Sequence, residues 1–306
     1  MGEHGTKYEE DILRPLSREE LCALRELYCK HYTVDLHFYF FIKNALRWQE
    51  QLTELSESEK MKLCVRAFIE FYTPKAVNPL ETGTFVAVTK NEDPNVYFHS
   101  LTEEPAQLEK YLCETKRIDW TASPVFSCVS DQFADTLANV LRKFNCKYDL
   151  LSDCSYYKLS HELAVQCQFQ IPEDLVMKPL EPRCASVMNE RWPHRYPNSQ
   201  KYIEMLIKFN GGYGLFNKES NDLVGWVLKN EFAGIGHLQV MPEYRQRGLG
   251  EVLTKAISKR IALEDKGDVN GFIVDENLGS IRLLKKIGYQ KVAGSNWVRA
   301  VYGMEQ

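Results

Sequence analysis

The stretch GHLQVMPEYRQRGLGEVL, residues 236 to 253, places a short apolar strand pattern and a proline ahead of an amphipathic helix pattern. A helix leaves its first N–H groups without intrahelical partners and carries roughly half a positive charge at its N-terminus, so an exposed helix start binds anions. Gly248 and Gly250 allow the backbone to turn sharply there and to approach a bulky ligand closely, and Arg245 and Arg247 add positive charge. The pattern predicts a pyrophosphate site at the start of this helix.

Two other phosphate-binding loops are excluded by spacing. The P-loop requires G-x-x-x-x-G-K-[ST], and no Lys followed by Ser or Thr stands after these glycines. The dinucleotide-binding turn requires G-x-G-x-x-G, and its third glycine would fall on Leu253. The chain is therefore expected to bind its anion in a different kind of loop.

The composition is that of a globular protein, with 44% hydrophobic, 12% aromatic and 26% charged residues. A net charge of −4 gives no overall attraction for nucleic acid, so we expect no nucleic-acid partner. The nine cysteines form no C-x-x-C pair, which predicts a reducing compartment and no metal site. Residues 1–12 lack the features of a leader, and no apolar run reaches the ~20 residues of a membrane span, so we expect a cytoplasmic protein without a membrane partner.

The chain length of 306 residues favours two domains. Pro172, Pro179 and Pro182 lie close together, and prolines end helices or stand outside strand ladders, so we expect a boundary there. The prediction is an N-terminal α/β domain at 1–171 and a second domain at 172–306. In the first, Ser17 and Glu20 have the spacing of a helix capping box, and residues 34–44, 83–90 and 124–131 have strand-like patterns.

The second domain alternates strand and helix patterns, with one strand hairpin before residue 230. Such alternation implies a partly parallel sheet with right-handed crossovers, whereas the hairpin adds antiparallel pairing. The expected fold class is therefore α/β with a mixed sheet.

Two motifs of this half resemble the GNAT acetyltransferase superfamily. The first, [RQ]-x-x-G-x-[GA] after a strand ending in V-x-P-x-Y, resembles its coenzyme A signature and is carried by Val240, Pro242, Tyr244, Arg245, Gly248 and Gly250. The second, VDENLGSIRLLKKIGY, resembles the segment that closes the cofactor groove and is carried by Asn277, Ser280, Leu283, Gly288 and Tyr289.

Residues 188–228 look, within that superfamily, like glycine N-acyltransferase-like proteins. The matching positions are Asn189, Trp192, Ser199, Ile203, Ile207 and Trp226, with a fainter similarity in the first half around Ile118, Asp119 and Trp120. The resemblance implies a GNAT acyl-CoA N-acyltransferase fold, with a first half that is a diverged, degenerate copy without the glycine turn. It also implies acetyl-CoA or another acyl-CoA as co-substrate and a small-molecule acyl acceptor such as glycine. Family analogy leaves a mitochondrial location open.

The resemblance assigns residues to the site. The expected coenzyme A-binding residues are Leu238, Gln239, Val240, Arg245, Gln246, Arg247, Gly248, Leu249, Gly250, Glu251, Asn277 and Ser280. The backbone N–H of Val240 is expected to polarise the thioester carbonyl.

No general base stands at the positions that superfamily members use for it. These positions hold Gly234, Gly236, Phe272 and Leu284, and the two glycines are expected to enlarge the acceptor pocket. Strand alternation turns His237 away from the site unless a bulge intervenes. The remaining acid or base candidates are His237, Glu231, Tyr289 and an ordered water, while Trp192, Tyr202 and Trp226 are expected as core or groove wall. Two alternatives stay open: a non-catalytic acyl-CoA-binding regulatory protein and a protein N-acetyltransferase.

Overall fold

The computed structural model describes residues 11–31, 36–89, 94–102 and 104–303. Before residue 172 the strands and helices are β1 (Leu13–Pro15), α1 (Arg18–Lys30), α2 (Leu36–Thr53), α3 (Glu57–Lys60), β2 (Ile69–Pro74), α4 (Pro79–Thr82), β3 (Phe85–Thr89), β4 (Asn95–His99), α5 (Pro105–Glu114), β5 (Val125–Ser130), α6 (Ala134–Lys143), β6 (Cys146–Leu159) and α7 (His161–Val165). After it they are β7 (Leu175–Pro179), α8 (Ala185–Arg191), α9 (Ser199–Phe209), β8 (Gly212–Asn217), β9 (Leu223–Lys229), β10 (Ile235–Val240), α10 (Leu249–Asp265), β11 (Val269–Val274), α11 (Leu278–Ile287) and β12 (Gln290–Tyr302).

The described residues divide into two compact units. Unit 1 takes those of Met1–Leu46, Val65–Cys154 and Ala293–Gln306, and unit 2 takes Arg47–Cys64 and Ser155–Val292. Strands β6 and β12 therefore each contribute residues to both units. The sequence-based domain boundary between residues 171 and 172 stays a prediction.

Unit 1 has a mixed sheet with the strand order β1-β2-β3-β4-β5-β12. The pairs from β1 to β4 are antiparallel, β4 and β5 are parallel, and β12 returns antiparallel to β5. The C-terminal strand of the chain thus completes the sheet of the first unit. Phe98, Phe126, Leu137 and Val298 belong to the core between this sheet and its helices.

Unit 2 repeats this arrangement with the strand order β7-β8-β9-β10-β11-β6. Its first four strands pair antiparallel, and β10 and β11 pair parallel. Leu253, Ile257 and Ile261 of α10 are fully buried in the core, because they lie on the face of the helix that packs on the sheet.

Both units place helices after the first strand and one α-helix between the fourth and fifth strands, and in both the fourth and fifth strands pair in parallel. The expected mixed α/β fold with two tandem units is confirmed. The capping box is also confirmed, since the Ser17 side chain accepts a hydrogen bond from the Glu20 N–H and the Glu20 carboxylate accepts one from the Ser17 N–H.

The expected strand at residues 34–44 is wrong from residue 36 onward, because Leu36–Thr53 forms helix α2, and residues 34 and 35 lie outside the described residues. Its aromatic and β-branched residues suggested a strand, but an apolar run that is buried on most sides does not distinguish a strand from a buried helix. Phe38, Phe41 and Ile42 are fully buried, and their spacing of three and four residues is helical.

Candidate functional site

Strand β10 carries a bulge in the middle of the predicted site. Gly236 faces Leu228 of β9, whereas Gln239 faces Trp226, so β10 has one extra residue between these pairs. His237 lies in the bulge with a φ of 54°, a left-handed conformation that is uncommon for residues other than glycine. The bulge removes the simple alternation of side chains on which the outward orientation of His237 depended.

After the bulge, the backbone direction of β10 is regular. The N–H of Met241 donates to the carbonyl of Val224 on β9 at 2.9 Å. Because neighbouring N–H groups of a strand point to opposite edges, the N–H of Val240 points away from β9 and toward the β11 side. Strands β10 and β11 pair at Ile235 and Gly271, at the start of β10, and Leu238, Gln239 and Val240 are half-buried rather than buried.

The glycine turn lies between β10 and α10. Gln246 and Gly248 both have positive φ values, 61° and 75°. A Cβ built on Gly248 has nothing within 4 Å, so the space beside this backbone is open. Hydrogen bonding at the helix start begins with the N–H groups of Glu251 and Val252, which donate to the Gly248 carbonyl. The N–H groups of Leu249 and Gly250 are therefore directed out of the helix start. This open turn fits a pyrophosphate that lies against the backbone.

The two arginines of the turn have different surroundings. Arg245 donates through Nε to the Val240 carbonyl at 3.2 Å. Arg247 donates through one nitrogen to both carboxylate oxygens of Asp174, at 2.7 and 2.8 Å, and its guanidinium lies 5.6 Å from the ring centroid of Tyr244. The Arg247 hydrogen bond holds the pKa of Asp174 below its usual range. An anion bound by Arg247 would therefore compete with Asp174, a contact that the sequence did not reveal.

Glu251, in the first turn of α10, accepts hydrogen bonds from Lys255 and Lys286 at 2.8 and 2.6 Å. These two contacts lower the pKa of Glu251. The carboxylate is thus compensated by two ammonium groups, and Lys286 of α11 brings positive charge to the start of α10.

Asn277 caps helix α11, because its side chain accepts a hydrogen bond from the Ser280 N–H at 3.1 Å. The same helix approaches the turn through Leu283, whose Cδ2 lies 3.5 Å from a Cβ built on Gly250. Asn277 and Ser280 thus hold the start of the helix beside the turn, and their role in coenzyme A binding stays a prediction.

Asparagine side chains lie close to the two glycines at the usual base positions. A Cβ on Gly234 would lie 2.1 Å from the Asn270 Oδ1 and 2.5 Å from the Asn270 carbonyl oxygen. A Cβ on Gly236 would lie 3.1 Å from the Cβ of Asn230. The expectation that these glycines enlarge an acceptor pocket is therefore wrong, because asparagine side chains fill the space.

The side chains at the other two positions, Phe272 and Leu284, make apolar packing contacts. The ring of Phe272 packs at 5.2 Å from Tyr156 and at 5.1 Å from Phe232, and Leu284 is buried in the core of unit 2. Tyr289 is buried beside Ser258, with 2.7 Å between the hydroxyl oxygens, and burial raises its pKa well above the usual value. An acid role for Tyr289 stays a prediction.

Four side chains meet beside the bulge. The ring of His237 lies 4.7 Å from that of Trp192 and 5.9 Å from that of Tyr202, and Trp192 stacks on Tyr202 at 6.1 Å. The hydroxyl of Tyr202 donates to the carboxylate of Glu231 at 2.5 Å. The catalytic candidates His237 and Glu231 are thus linked through Tyr202, which the sequence suggested only as core or groove wall. Trp226, the third of those residues, is 2% exposed and belongs to the core.

Unit 1 has no equivalent opening in the part of the chain that the structure describes. All five residues of β4 are buried, whereas five of the six residues of β10 are half-buried. At the end of β4 the imidazole Nε2 of His99 lies 3.3 Å from the Nε2 of Gln132, which follows β5, and Phe133 packs against the His99 ring. These side chains bridge the ends of β4 and β5.

The described residues show neither a candidate metal site nor a membrane-spanning helix. They contain no group of three or more His, Cys, Asp or Glu side chains that could hold a metal ion. No helix among them has both the length and the apolar character needed to cross a membrane.

One family model matches within each half of the chain. A model described as FR47-like protein matches residues 212–298, which contain the bulge, the glycine turn and α11. A model described as a domain of unknown function (DUF5645) matches residues 12–140.

Solved structures are similar to nearly the whole chain. A Drosophila protein is 29% identical, with a TM-score of 0.88 over 95% of this chain and 99% of that chain. A GCN5-related N-acetyltransferase from Sphaerobacter thermophilus is 12% identical, with a TM-score of 0.59 over 97% of this chain and 98% of that one. A tandem GNAT protein from the clavulanic acid biosynthesis pathway is 10% identical, with a TM-score of 0.55 over 96% and 99%. The fold is therefore that of tandem GNAT proteins, and the FR47-like segment supports the GNAT superfamily; the nearer resemblance to glycine N-acyltransferase-like proteins has no support in these comparisons.

Proposed function

Because the chain has the GNAT fold and an FR47-like segment in its second unit, we propose that it is an acyl-CoA-dependent N-acyltransferase whose site lies in unit 2. The observation that carries this proposal is the combination of the open glycine turn at Gly248 with the half-buried strand end at Leu238–Val240. An anion bound at the turn would lie next in the chain to this half-buried strand end. Unit 1 lacks both.

The glycine turn would hold the pyrophosphate of coenzyme A. The N–H groups of Leu249 and Gly250 point out of the helix start, and Gly248 leaves the space beside them open. Arg247 would add a charge-assisted hydrogen bond after leaving Asp174, which is an exposed partner and so is released at little cost. Gln246 lies in the same turn, and Glu251, in the first turn of α10, is already compensated by its two lysines.

The residues of β10 would act on the thioester. The Val240 N–H points to the β11 side, where it would donate to the carbonyl oxygen as negative charge develops there. The amine nitrogen forms a bond with the carbonyl carbon, the carbon–sulfur bond breaks, and the sulfur leaves as a thiolate. The thiolate takes up one proton from solvent, which balances the proton that the amine loses. The proton lost by the amine would pass to His237, which the bulge has turned against Trp192 and Tyr202, or to a water molecule.

The finer identity is also a proposal. A small amine or amino acid, such as glycine, is proposed as the acceptor on the resemblance in residues 188–228. The nine free cysteines support a reducing compartment, and we propose the cytoplasm.

Calorimetric titration with acetyl-, benzoyl- and longer acyl-CoA, followed by addition of amino acids and detection of free thiol, tests the proposal. Binding with thiol release is the expected result. Binding without release across a broad amine panel would instead favour a non-catalytic acyl-CoA-binding protein, a second candidate that the packed glycines at positions 234 and 236 favour. The absence of binding would contradict both functions.

A further inference from the structure

The cluster of Trp192, Tyr202, Glu231 and His237 is not used in the binding of pyrophosphate and thioester proposed above. His237 stands three residues before Val240, a distance of at most roughly 10 Å along a strand. The members of the cluster come from the end of α8, from α9, from the turn before β10 and from the bulge. Because the attacking amine must reach a thioester held beside Val240, His237 is close enough along β10 to contact the second substrate of a direct transfer.

The chemistry of this cluster fits a cation. Glu231 supplies a carboxylate, and the Tyr202 hydroxyl donates to it at 2.5 Å and so holds it in one place. Next to Tyr202 the indole of Trp192 stacks at 6.1 Å with 29° between the ring planes. A fixed carboxylate beside aromatic faces binds a small ammonium group by charge and by cation–π attraction.

The accessibility of the members agrees with this chemistry. Tyr202 is 3% exposed and acts as the buried support, whereas Trp192, Glu231 and His237 are half-buried and can be reached from solvent. An apolar group placed here would gain from the indole but not from the negative charge of Glu231, and the anionic end of an acceptor would be repelled by that charge.

We infer that Glu231 and Trp192 form the recognition site for the ammonium group of a small aliphatic primary amine. This inference rests on the proposed function, because it assigns the amine as the acyl acceptor. Binding of an ammonium group can nevertheless be measured on the protein without coenzyme A. It gives Glu231 a role in binding the acceptor rather than in removing its proton.

The test compares 1-butylamine, which is a cation at pH 7, with 1-butanol, which has nearly the same shape and no charge. Binding of each is measured by tryptophan fluorescence and calorimetry at fixed ionic strength, without coenzyme A and again with acetyl-CoA. The unmodified protein is expected to bind butylammonium at least about tenfold more tightly than butanol, and Glu231→Gln is expected to abolish the preference. The amide keeps the shape of the carboxylate and its capacity to accept from Tyr202.

Glu204→Gln is the matched control, because this carboxylate belongs to α9 itself and accepts a hydrogen bond from Gln200 at the surface. It is expected to leave the preference unchanged. Trp192→Leu is a second variant, expected to weaken butylammonium severalfold through loss of the aromatic face.

A lack of preference in the unmodified protein, or a preference that survives Glu231→Gln, would overturn the inference. Failure of acetyl-CoA to bind would contradict the proposed function alone, because the ammonium measurement does not need it. If transfer to butylamine occurs, Glu231→Gln is expected to raise the KM for the amine about tenfold with little change in kcat. A fall in kcat without a change in KM would instead identify Glu231 as a base and overturn the binding role.

Discussion

Gly234 and Gly236, at the usual base positions, lie so close to asparagine residues that a larger side chain would be crowded there. Substitution of either glycine is therefore expected to change the stability of the protein. Gly234→Ala would bring a Cβ to 2.5 Å from the backbone oxygen of Asn270, an atom that cannot move without β11. Gly236→Ala would bring a Cβ to 3.1 Å from the side chain of Asn230, which can adjust by a few tenths of an ångström. We expect Gly234→Ala to lower the free energy of unfolding by about 1–3 kcal/mol and Gly236→Ala by clearly less.

Urea unfolding of the two variants and of the unmodified protein measures this difference. Equal losses in both variants would contradict the packing explanation. The same geometry excludes a simple repair of the missing base, because a glutamate at position 234 would need the space that Asn270 fills.

Substitutions in the glycine turn are expected to affect protein stability and acyl-CoA binding differently. Gly248→Ala forces a Cβ into a φ of 75° and is expected to cost about 1 kcal/mol of stability, although nothing lies within 4 Å of that Cβ. Gly250→Ala places a good helix former inside α10 and is expected to leave stability equal or raise it by up to about 1 kcal/mol. Both variants are expected to weaken acyl-CoA binding by tenfold or more, since each Cβ occupies the approach to the backbone.

Gly303→Ala controls for backbone strain, because Gly303 has a φ of 74° and nothing within 4 Å but lies far from the turn in sequence. It is expected to leave the Kd for acetyl-CoA unchanged. Calorimetric Kd values and thermal unfolding for the three variants check these outcomes. Unchanged affinity in both turn variants would show that the pyrophosphate is bound elsewhere.

Elements that are encoded by neighbouring residues could be predicted from the sequence. The turn at Gly248, helix α10 and the cap at Asn277 depend on residues within four positions of each other, and all three are present. The bulge at His237 could not be predicted, because it is defined by the register with β9 rather than by the residues of β10 themselves.

Contacts between residues far apart in the sequence could not be predicted either. Asn270 fills the space at Gly234 from 36 positions away, and the Asp174 carboxylate reaches Arg247 across 73 positions. The hydrogen bond from Tyr202 to Glu231 spans 29 positions, and nothing in either local pattern marks it. The role of Tyr202 therefore emerged only from the packed structure.

The whole molecule contains the same fold twice, but the two copies differ where the ligand would bind. Unit 1 repeats the strand order and the helix between the fourth and fifth strands. The sequence between β4 and α5, SLTEE at residues 100–104, has no glycine and no arginine. Helix α5 begins with Pro105, which has no N–H, directly after Glu104.

These differences predict one acyl-CoA site per chain. A pyrophosphate at the start of α5 would lose one backbone donor to Pro105 and would meet the negative charge of Glu104. The buried strand β4 and the His99–Gln132 bridge close the position that corresponds to the half-buried end of β10. Calorimetry with acetyl-CoA is expected to give a stoichiometry of about one, and Gly248→Ala should weaken all of the binding that is observed. A second site that persists in this variant, or that disappears on Gln132→Ala, would show that unit 1 has kept a ligand site without the glycine turn.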